Sequence, residues 1–358
     1  MPGKKKISQQ KIAEELGVSQ SLVSIVLNGR TEGISERSYR RIWDYALANG
    51  YQPKGMRINH LSNGSAQATA MGFFLRAPLK LANSSNFFSH VSQGLHDELS
   101  DHESELVFLG SESDYTGEKP KRLRWQQSKV RATAILGQVD DSFLQRVRRW
   151  NKPMVYLSAR APGVCHSVNS NEWQAAETIV EHLVELGHRH FVFIGGRNPT
   201  SRTRERLDAF RGALRFRNLA WEETGFFAEA EADRKEGYQM ADRILRDLPE
   251  PFPTAWVCMN GLLARGICNR LQQAGLTLGK HVSVAAFDRT PVVAEEWPGV
   301  TAAAAVPEEM GREAARLLLR SCDAKNGTPL QDIVLPAQLT VRDTSGPPEP
   351  LPAGFVFS

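Results

Sequence analysis

The side chains of Gln20, Ser21 and Ser24 carry amide and hydroxyl groups, the chemistry that hydrogen-bonds base edges in the major groove of DNA. Their neighbours put them on the outer face of a helix: Leu22, Val23, Val26 and Leu27 form an apolar stripe, and Ser19 is placed to cap the start. A shorter pattern precedes it, with Ser8 as N-cap, Ile12, Ala13 and Leu16 as the buried stripe, and Gly17 able to take the positive φ that ends the helix. Two such helices joined by a glycine turn, with polar side chains opening the second, constitute a helix-turn-helix.

Charge supports that reading. Residues 1–60 carry ten Lys or Arg against five acids, a net of +5, whereas the whole chain of 358 residues is +4, so the remainder is close to neutral. Positive charge concentrated on the segment that holds the motif is what phosphate neutralisation requires.

The elements around the motif extend to a third helix from Ser35 or Glu36 to Ala48, with Tyr39, Ile42, Trp43, Ala46 and Leu47 as its stripe and Asn49-Gly50 as its stop. From Pro53 to about Ala70 the composition turns to Gly, Asn, Ser, Arg and His, a linker. Beyond it, short apolar runs alternate with amphipathic helices, the sign of mostly parallel sheets with crossover helices. Strands are expected at 71–76, 105–109, 132–137, 153–158, 190–195, 254–259, 282–287 and 333–341. Helices are expected at 88–101, 141–150, 171–186, 203–217, 234–247, 261–274 and 308–323. The predicted organisation is therefore a small all-α headpiece, 1–52, a hinge, 53–70, a two-lobed α/β core, 71–344, and a loose Pro-rich tail, 345–358, whose Phe355, Val356 and Phe357 could dock. A cleft between the lobes is the default ligand site.

No apolar run reaches bilayer length and no secretory segment opens the chain, which places it in the cytoplasm without a membrane partner. The four cysteines, 165, 258, 268 and 322, lack metal spacing, and His188 and His190 form an H-x-H with no further ligand to name, so neither a metal nor a cofactor is expected. Gly195-Gly196 is not G-x-G-x-x-G, and there is no P-loop, no G-x-S-x-G and no nucleophile set, so the chain is not read as an enzyme.

The strings ISQQKIAEELGVSQSLVSIVLNG, GYQP, NFFSHVSQGL, EHLVELGHRHFVFIGG, RERLDAFRGAL, PTAWVCMNGLLARGICNRLQQAGL, VSVAAFD and LPAQLTVR resemble, in order and over nearly the whole length, the LacI/GalR family of ligand-responsive transcriptional repressors. The resemblance implies a homodimer on a pseudo-palindromic double-stranded DNA operator and a periplasmic-binding-protein-like core that takes a small effector. It assigns DNA contacts to Ser8, Ser19, Gln20, Ser21, Ser24, Ile25, Asn28 and Tyr51, and the minor-groove wedge of a hinge helix to Leu61. Effector contacts fall on Phe87, Phe88, Arg206, Asn260 and Asp288, a set suited to a sugar or an anionic metabolite.

The chain departs from the family pattern at several places. Ile25 stands where many relatives carry a base-contacting arginine, and an aliphatic side chain there reads a thymine methyl or nothing. Leu61 lies one place late, with His60 in the expected position. In the core, Gly261 replaces an acid, Arg289 a second acid and Ala232 a stacking aromatic, and Thr301 to Val306 lacks the usual polar side chains. A lost aromatic and acid with a gained guanidinium shift the expectation from a neutral pyranose toward an anionic or unusual effector. A cytoplasmic solute sensor of the same core fold, with only non-specific DNA affinity, is the alternative.

Overall fold

The computed structural model describes residues 8–27, 35, 38, 41–42, 45–46, 70–76, 86–116, 127, 130–196, 201–219, 226–229, 232–247, 250–324, 328–352 and 355. Residues 53–69 of the predicted hinge, with Leu61, lie outside them, as do Asn28 and Tyr51 of the DNA-contact set and the Ile25 side chain. By contacts the chain forms two units, residues 1–155 with 314–329, and residues 156–313 with 330–358. No helix among the described residues is long and apolar enough to cross a membrane.

At the N-terminus, helices α1, Gln9–Leu16, and α2, Gln20–Leu27, bury Ile12, Ala13, Leu16, Val23, Val26 and Leu27 against Ile42 and Ala46, with Leu22 and Tyr45 half-covered. Positions 38, 41–42 and 45–46 are helical, within the predicted third helix. Tyr39, Trp43 and Leu47 of its stripe fall outside the described residues.

Two six-stranded sheets follow. Strands β1 Met71–Leu75, β2 Leu106–Ser111, β3 Ala132–Leu136, β4 Met154–Leu157, β5 His166–Ser170 and β11 Asp332–Leu335 make the first, in the order β11-β5-β4-β3-β1-β2. The second comprises β6 Phe191–Gly196, β7 Phe226–Glu229, β8 Ala255–Cys258, β9 Ser283–Ala286, β10 Thr301–Ala304 and β12 Gln338–Thr340, in the order β12-β10-β9-β8-β6-β7. In that sheet β6 pairs in parallel with β7 and β8, and β9 with β8 and β10, while β12 runs antiparallel to β10. Strands such as Met71–Leu75 and Ala132–Leu136 are buried at every position, as expected of parallel strands covered on both faces.

Alternation along the second sheet splits its side chains into two cores. Val192, Ile194, Trp256, Cys258, Val284 and Ala286 face the helices Arg234–Asp247 and Gly261–Gln273. Phe193, Ala255, Val257, Ala285 and Phe287 pack with the helices Glu172–Glu185 and Ser201–Phe216. The first pair of helices meets through glycines. A Cβ on Gly266 would lie 1.9 Å from the Arg234 carbonyl oxygen, and one on Gly237 2.2 Å from that of Leu263.

All seven predicted core helices form, with ends shifted by no more than two residues. The stretch 333–341 does not form one strand. Pro336 has no N–H for a ladder and restricts the residue before it, so the chain breaks into β11 and β12, which join different sheets. Three strands escaped the sequence reading, because β5 is polar, β10 is a run of small residues and β7 is short.

The tail, expected to be loose with Phe355, Val356 and Phe357 able to dock, is docked at its described residues. The Gly346 carbonyl accepts from Ser283 Oγ at 3.0 Å and lies 3.0 Å from His188 Nε2, Glu349 donates its N–H to the Lys280 carbonyl at 2.7 Å, and Leu351 and Phe355 pack on the Trp256 core. Since a carbonyl can only accept, His188 carries its proton on Nε2 and accepts from Thr254 Oγ1 through Nδ1 at 2.8 Å. Burial and nearby positive charge outweigh the Gly346 bond and push the His188 ring down to about 4, from an ordinary 6.5. The unfolded chain then takes up a proton that the folded protein refuses. Stability should be complete above about pH 6.5 and fall by up to about 3 kcal/mol toward pH 4. Urea unfolding across that range should show the loss, and His188→Gln should flatten it.

Candidate DNA interface and effector site

In the headpiece, local hydrogen bonding fixes which polar groups remain for a ligand. Ser8 Oγ accepts the Lys11 N–H at 3.2 Å, and Gly17 ends α1 at φ 62°, letting the Val18 N–H reach the Ala13 carbonyl at 3.0 Å. Arg41 donates to the Leu16 carbonyl at 3.1 Å, closing the same helix end. Ser19 Oγ caps α2 through the Leu22 N–H at 3.2 Å and lies 3.0 Å from Ser21 Oγ. Ser19 is thus a cap as well as a contact candidate. Gln20 and Ser21 are exposed in the first turn of α2, and Ser24 is half-buried one turn on.

Within the second unit, Arg206 does not point to solvent. It is 4 % exposed and binds Glu172 with two nitrogens, Nε to Oε2 at 2.7 Å and Nη2 to Oε1 at 3.2 Å. Its third arm donates to the Met259 carbonyl, and its Cζ lies 5.2 Å from the centre of the Phe287 ring. Arg202, one turn earlier, donates to Glu172 Oε1 at 2.9 Å and to Ser158 Oγ at 3.4 Å. Burial opposes ionisation of Glu172, itself 2 % exposed, but the two guanidiniums outweigh it and hold the carboxyl below its ordinary range. Burial and the Arg206 charge push Arg202 down to about 10, against the pull of Glu172. Glu205 and Asp208, the acids next to Arg206 in the sequence, are engaged elsewhere, Glu205 with Arg160 at 2.9 Å and Asp208 with Arg211 at 3.8 Å.

Asp288 and Asn260 also have structural partners. Asp288, 7 % exposed, accepts the Gly261 N–H on Oδ2 at 2.9 Å and the Thr290 N–H on Oδ1 at 2.6 Å. Asn260 caps the helix Gly261–Gln273 through the Leu263 N–H at 2.8 Å and donates to the Ala232 carbonyl at 2.9 Å. Ala232 sits in the left-handed region at φ 56°, with its N–H on the Glu236 carboxylate. Its side chain is buried in the Trp256 core, so the aromatic expected there leaves no gap. Arg289 donates to Gln338 at 3.2 Å, and Thr301 to Ala304 form an inner strand, which accounts for their small side chains. Phe87 and Phe88 belong to the first unit, where they open the helix Asn86–Asp101 and meet edge to face at 5.1 Å, with Phe88 buried.

Beside Glu172 is a cavity of about 110 Å³ lined by Ser158, Ala159, Arg160, Asn169, Ser170, Glu172, Arg202 and Glu205. Ser158 takes a positive φ of 60° there, a conformation that strains a non-glycine residue and collects at ligand sites. None of these lining residues was selected from the sequence. The one available signal is the Arg202 to Arg206 spacing, which puts two guanidiniums on one helix face and demands a counter-ion.

Gly261 is required by the acid it faces. A Cβ there would lie 2.5 Å from Val293 Cγ1 and 2.8 Å from Asp288 Oδ2. Gly261→Ala should lower stability by about 1–3 kcal/mol through overpacking, and Gly261→Asp by more, since it adds a carboxylate against Asp288. Chemical denaturation of both variants checks the order.

Residues 180–345 match the family model described as a periplasmic binding protein-like domain. The HTH-type transcriptional regulator AglR of Rhizobium meliloti is 26 % identical, covering 95 % of each chain, and the maltose regulon regulatory protein MalI of Escherichia coli is 25 % identical, covering 94 % of this chain and 98 % of its own. The HTH-type transcriptional repressor PurR of Aliivibrio fischeri is 25 % identical over 88 % of this chain and 91 % of its own. Among solved structures, the regulator CelR in complex with cellobiose shares the fold at a TM-score of 0.68, with 22 % identity over 95 % of this chain and 100 % of its own. A regulator from Enterococcus faecium with bound ribose does so at 0.67, with 20 % identity over 77 % and 99 %. With the helix-turn-helix and the two α/β units in place, the chain is similar over nearly its whole length to transcriptional regulators of the LacI family, and residues 180–345 match the periplasmic binding protein-like domain.

Proposed function

We propose that this protein is a repressor that binds a pseudo-palindromic operator as a homodimer in the cytoplasm, with its operator affinity set by a small polar effector held in the second unit. The observation that carries the reading is the pair of exposed side chains, Gln20 and Ser21, at the start of a helix whose other face is locked into the headpiece core. A helix in that position can enter the major groove N-terminus first, and a glutamine amide can pair with both N6 and N7 of adenine. The basic first 60 residues supply the phosphate contacts. Relatives named as repressors and regulators, and fold neighbours holding cellobiose and ribose, support the same assignment.

On this reading residues 1–52 bind DNA, 53–70 are the hinge whose Leu61 enters the minor groove, 71–344 bind effector and form the dimer, and 345–358 close the core. Ser8, Ser19, Ser24, Ile25, Asn28 and Tyr51 complete the DNA contacts, and within the second unit Arg206, Asn260 and Asp288 act with Glu172 and Arg202 around the effector. Arg206, Asn260 and Asp288 do so mainly as positioning residues, since each is already bonded to the protein. The effector acts by binding one arrangement of the core more tightly than another, and linkage makes operator and effector report on each other.

The test is a binding-site selection from random duplexes, followed by titration of the selected site at several salt concentrations. The full chain should prefer that site over random duplex and weaken steeply with salt. Residues 65–358 alone should not bind. Gln20→Ala should cost about 1–3 kcal/mol on the selected site and relax the preference at one base pair per half-site. Equal affinity for selected and random duplex would leave the sensor with non-specific DNA affinity as the better account.

A further inference from the structure

The cavity beside Glu172 has a charge character that the sequence conceals. Read as a sequence, the core gains the Arg289 guanidinium and loses an acid and so points to an anion. In the folded protein Arg289 bonds Gln338, and the two guanidiniums beside the cavity already hold an acid: Glu172 bridges Arg206 at 2.7 Å and Arg202 at 2.9 Å, with 3 % of its side chain exposed. Two guanidiniums, Arg160 and Arg202, and two carboxylates, Glu172 and Glu205, line the cavity, so its wall is neutral. Immediately behind it Arg206, Asp288 and Asp332 add one net negative charge, Asp332 through its 3.0 Å pair with Arg160.

From this geometry we infer that Glu172 is the specificity-determining residue of the site: a built-in carboxylate that holds the place an anionic effector would take and reserves the cavity for uncharged molecules. The inference rests on the reading that this site takes the effector. An incoming carboxylate or phosphate must either expel a buried ion that three guanidinium bonds retain, or enter a neutral wall backed by negative charge. An uncharged ligand meets neither obstacle. The hydroxyls of Ser158 and Ser170 accept from Arg202 and from the Ala305 N–H, which leaves their own protons to donate. Asn169 Oδ1 and the second carboxylate oxygen of Glu205 have no partner among the described residues and can accept. Donors and acceptors side by side on a neutral wall suit a molecule that bears both.

The experiment titrates the full-length protein with sodium acetate and with inorganic phosphate at constant ionic strength, following heat and melting temperature. Wild type should show no saturable response in the millimolar range. Glu172→Gln, which keeps the shape and removes the charge, should bind acetate or phosphate saturably and at least about tenfold more tightly than wild type, because two desolvated guanidiniums then lack a counter-ion. Adding Arg206→Gln to that variant should abolish the gain, and Glu205→Gln alone should not produce it. Saturable anion binding by wild type that Arg202→Gln removes would overturn the inference, a result that needs no Glu172 variant to fold. So would a folded Glu172→Gln that stays indifferent to both anions. Neither readout involves DNA, so loss of operator binding and loss of this inference are separate outcomes.

Discussion

Glu172 and its two arginines form the interaction around which the second unit is arranged. A carboxylate taken out of water is tolerated only when its oxygens are filled, and here Arg206 and Arg202 fill them from one helix face while Glu172 enters from the first turn of another. Arg206 extends the link to the end of β8 through the Met259 carbonyl and to the end of β9 through the Phe287 ring. Two helices and two central strands therefore meet at a single ion cluster. The positions of Asp288 and Asn260 follow the same logic, because each satisfies backbone N–H groups at the start of a neighbouring helix or turn.

That arrangement changes what the family resemblance means for individual side chains. Arginine, aspartate and asparagine stand at the positions the resemblance assigns, yet their polar atoms already serve the protein. The groups left for a small molecule belong to Ser158, Asn169, Ser170 and Glu205, contributed by β5, the residues after β4 and the helix Ser201–Phe216. On the proposed function, recognition moves outward by one layer, with Arg206, Asp288 and Asn260 as the rigid support and Ser158, Asn169, Ser170 and Glu205 as the contact surface.

Much of the architecture was legible because it is written in periodicity. Caps such as Ser8, Asn171 and Gly17, and stripes such as Ala175, Ala176, Ile179, Val180 and Leu183, are local signals, and the helices they bound formed as expected. The missed strands lack such a signal. His166–Ser170 is polar because Ser167 and Asn169 bond Asp332 on the neighbouring strand, a relation between residues 163 and 165 places apart. The Glu172 cluster failed for the same reason, since its members are up to 34 positions apart and Glu172 looks like any acid in a first helical turn. Buried polar networks are set by tertiary partners, and a linear reading sees only their members one at a time.

The break at Pro336 has a further consequence. Nine residues, 332–340, supply an outermost strand to each of the two sheets, joined by Pro336 and Ala337 alone. Ala337 is buried and its N–H is fixed by Gln174 Oε1 at 2.9 Å. No slack exists to absorb a length change. A single inserted or deleted residue at this junction would rotate one of the two strands by half a pleat, exchanging its inward and outward side chains. The segment behaves as a shared seam, and its length, more than its composition, is the quantity that natural variation has little freedom to alter.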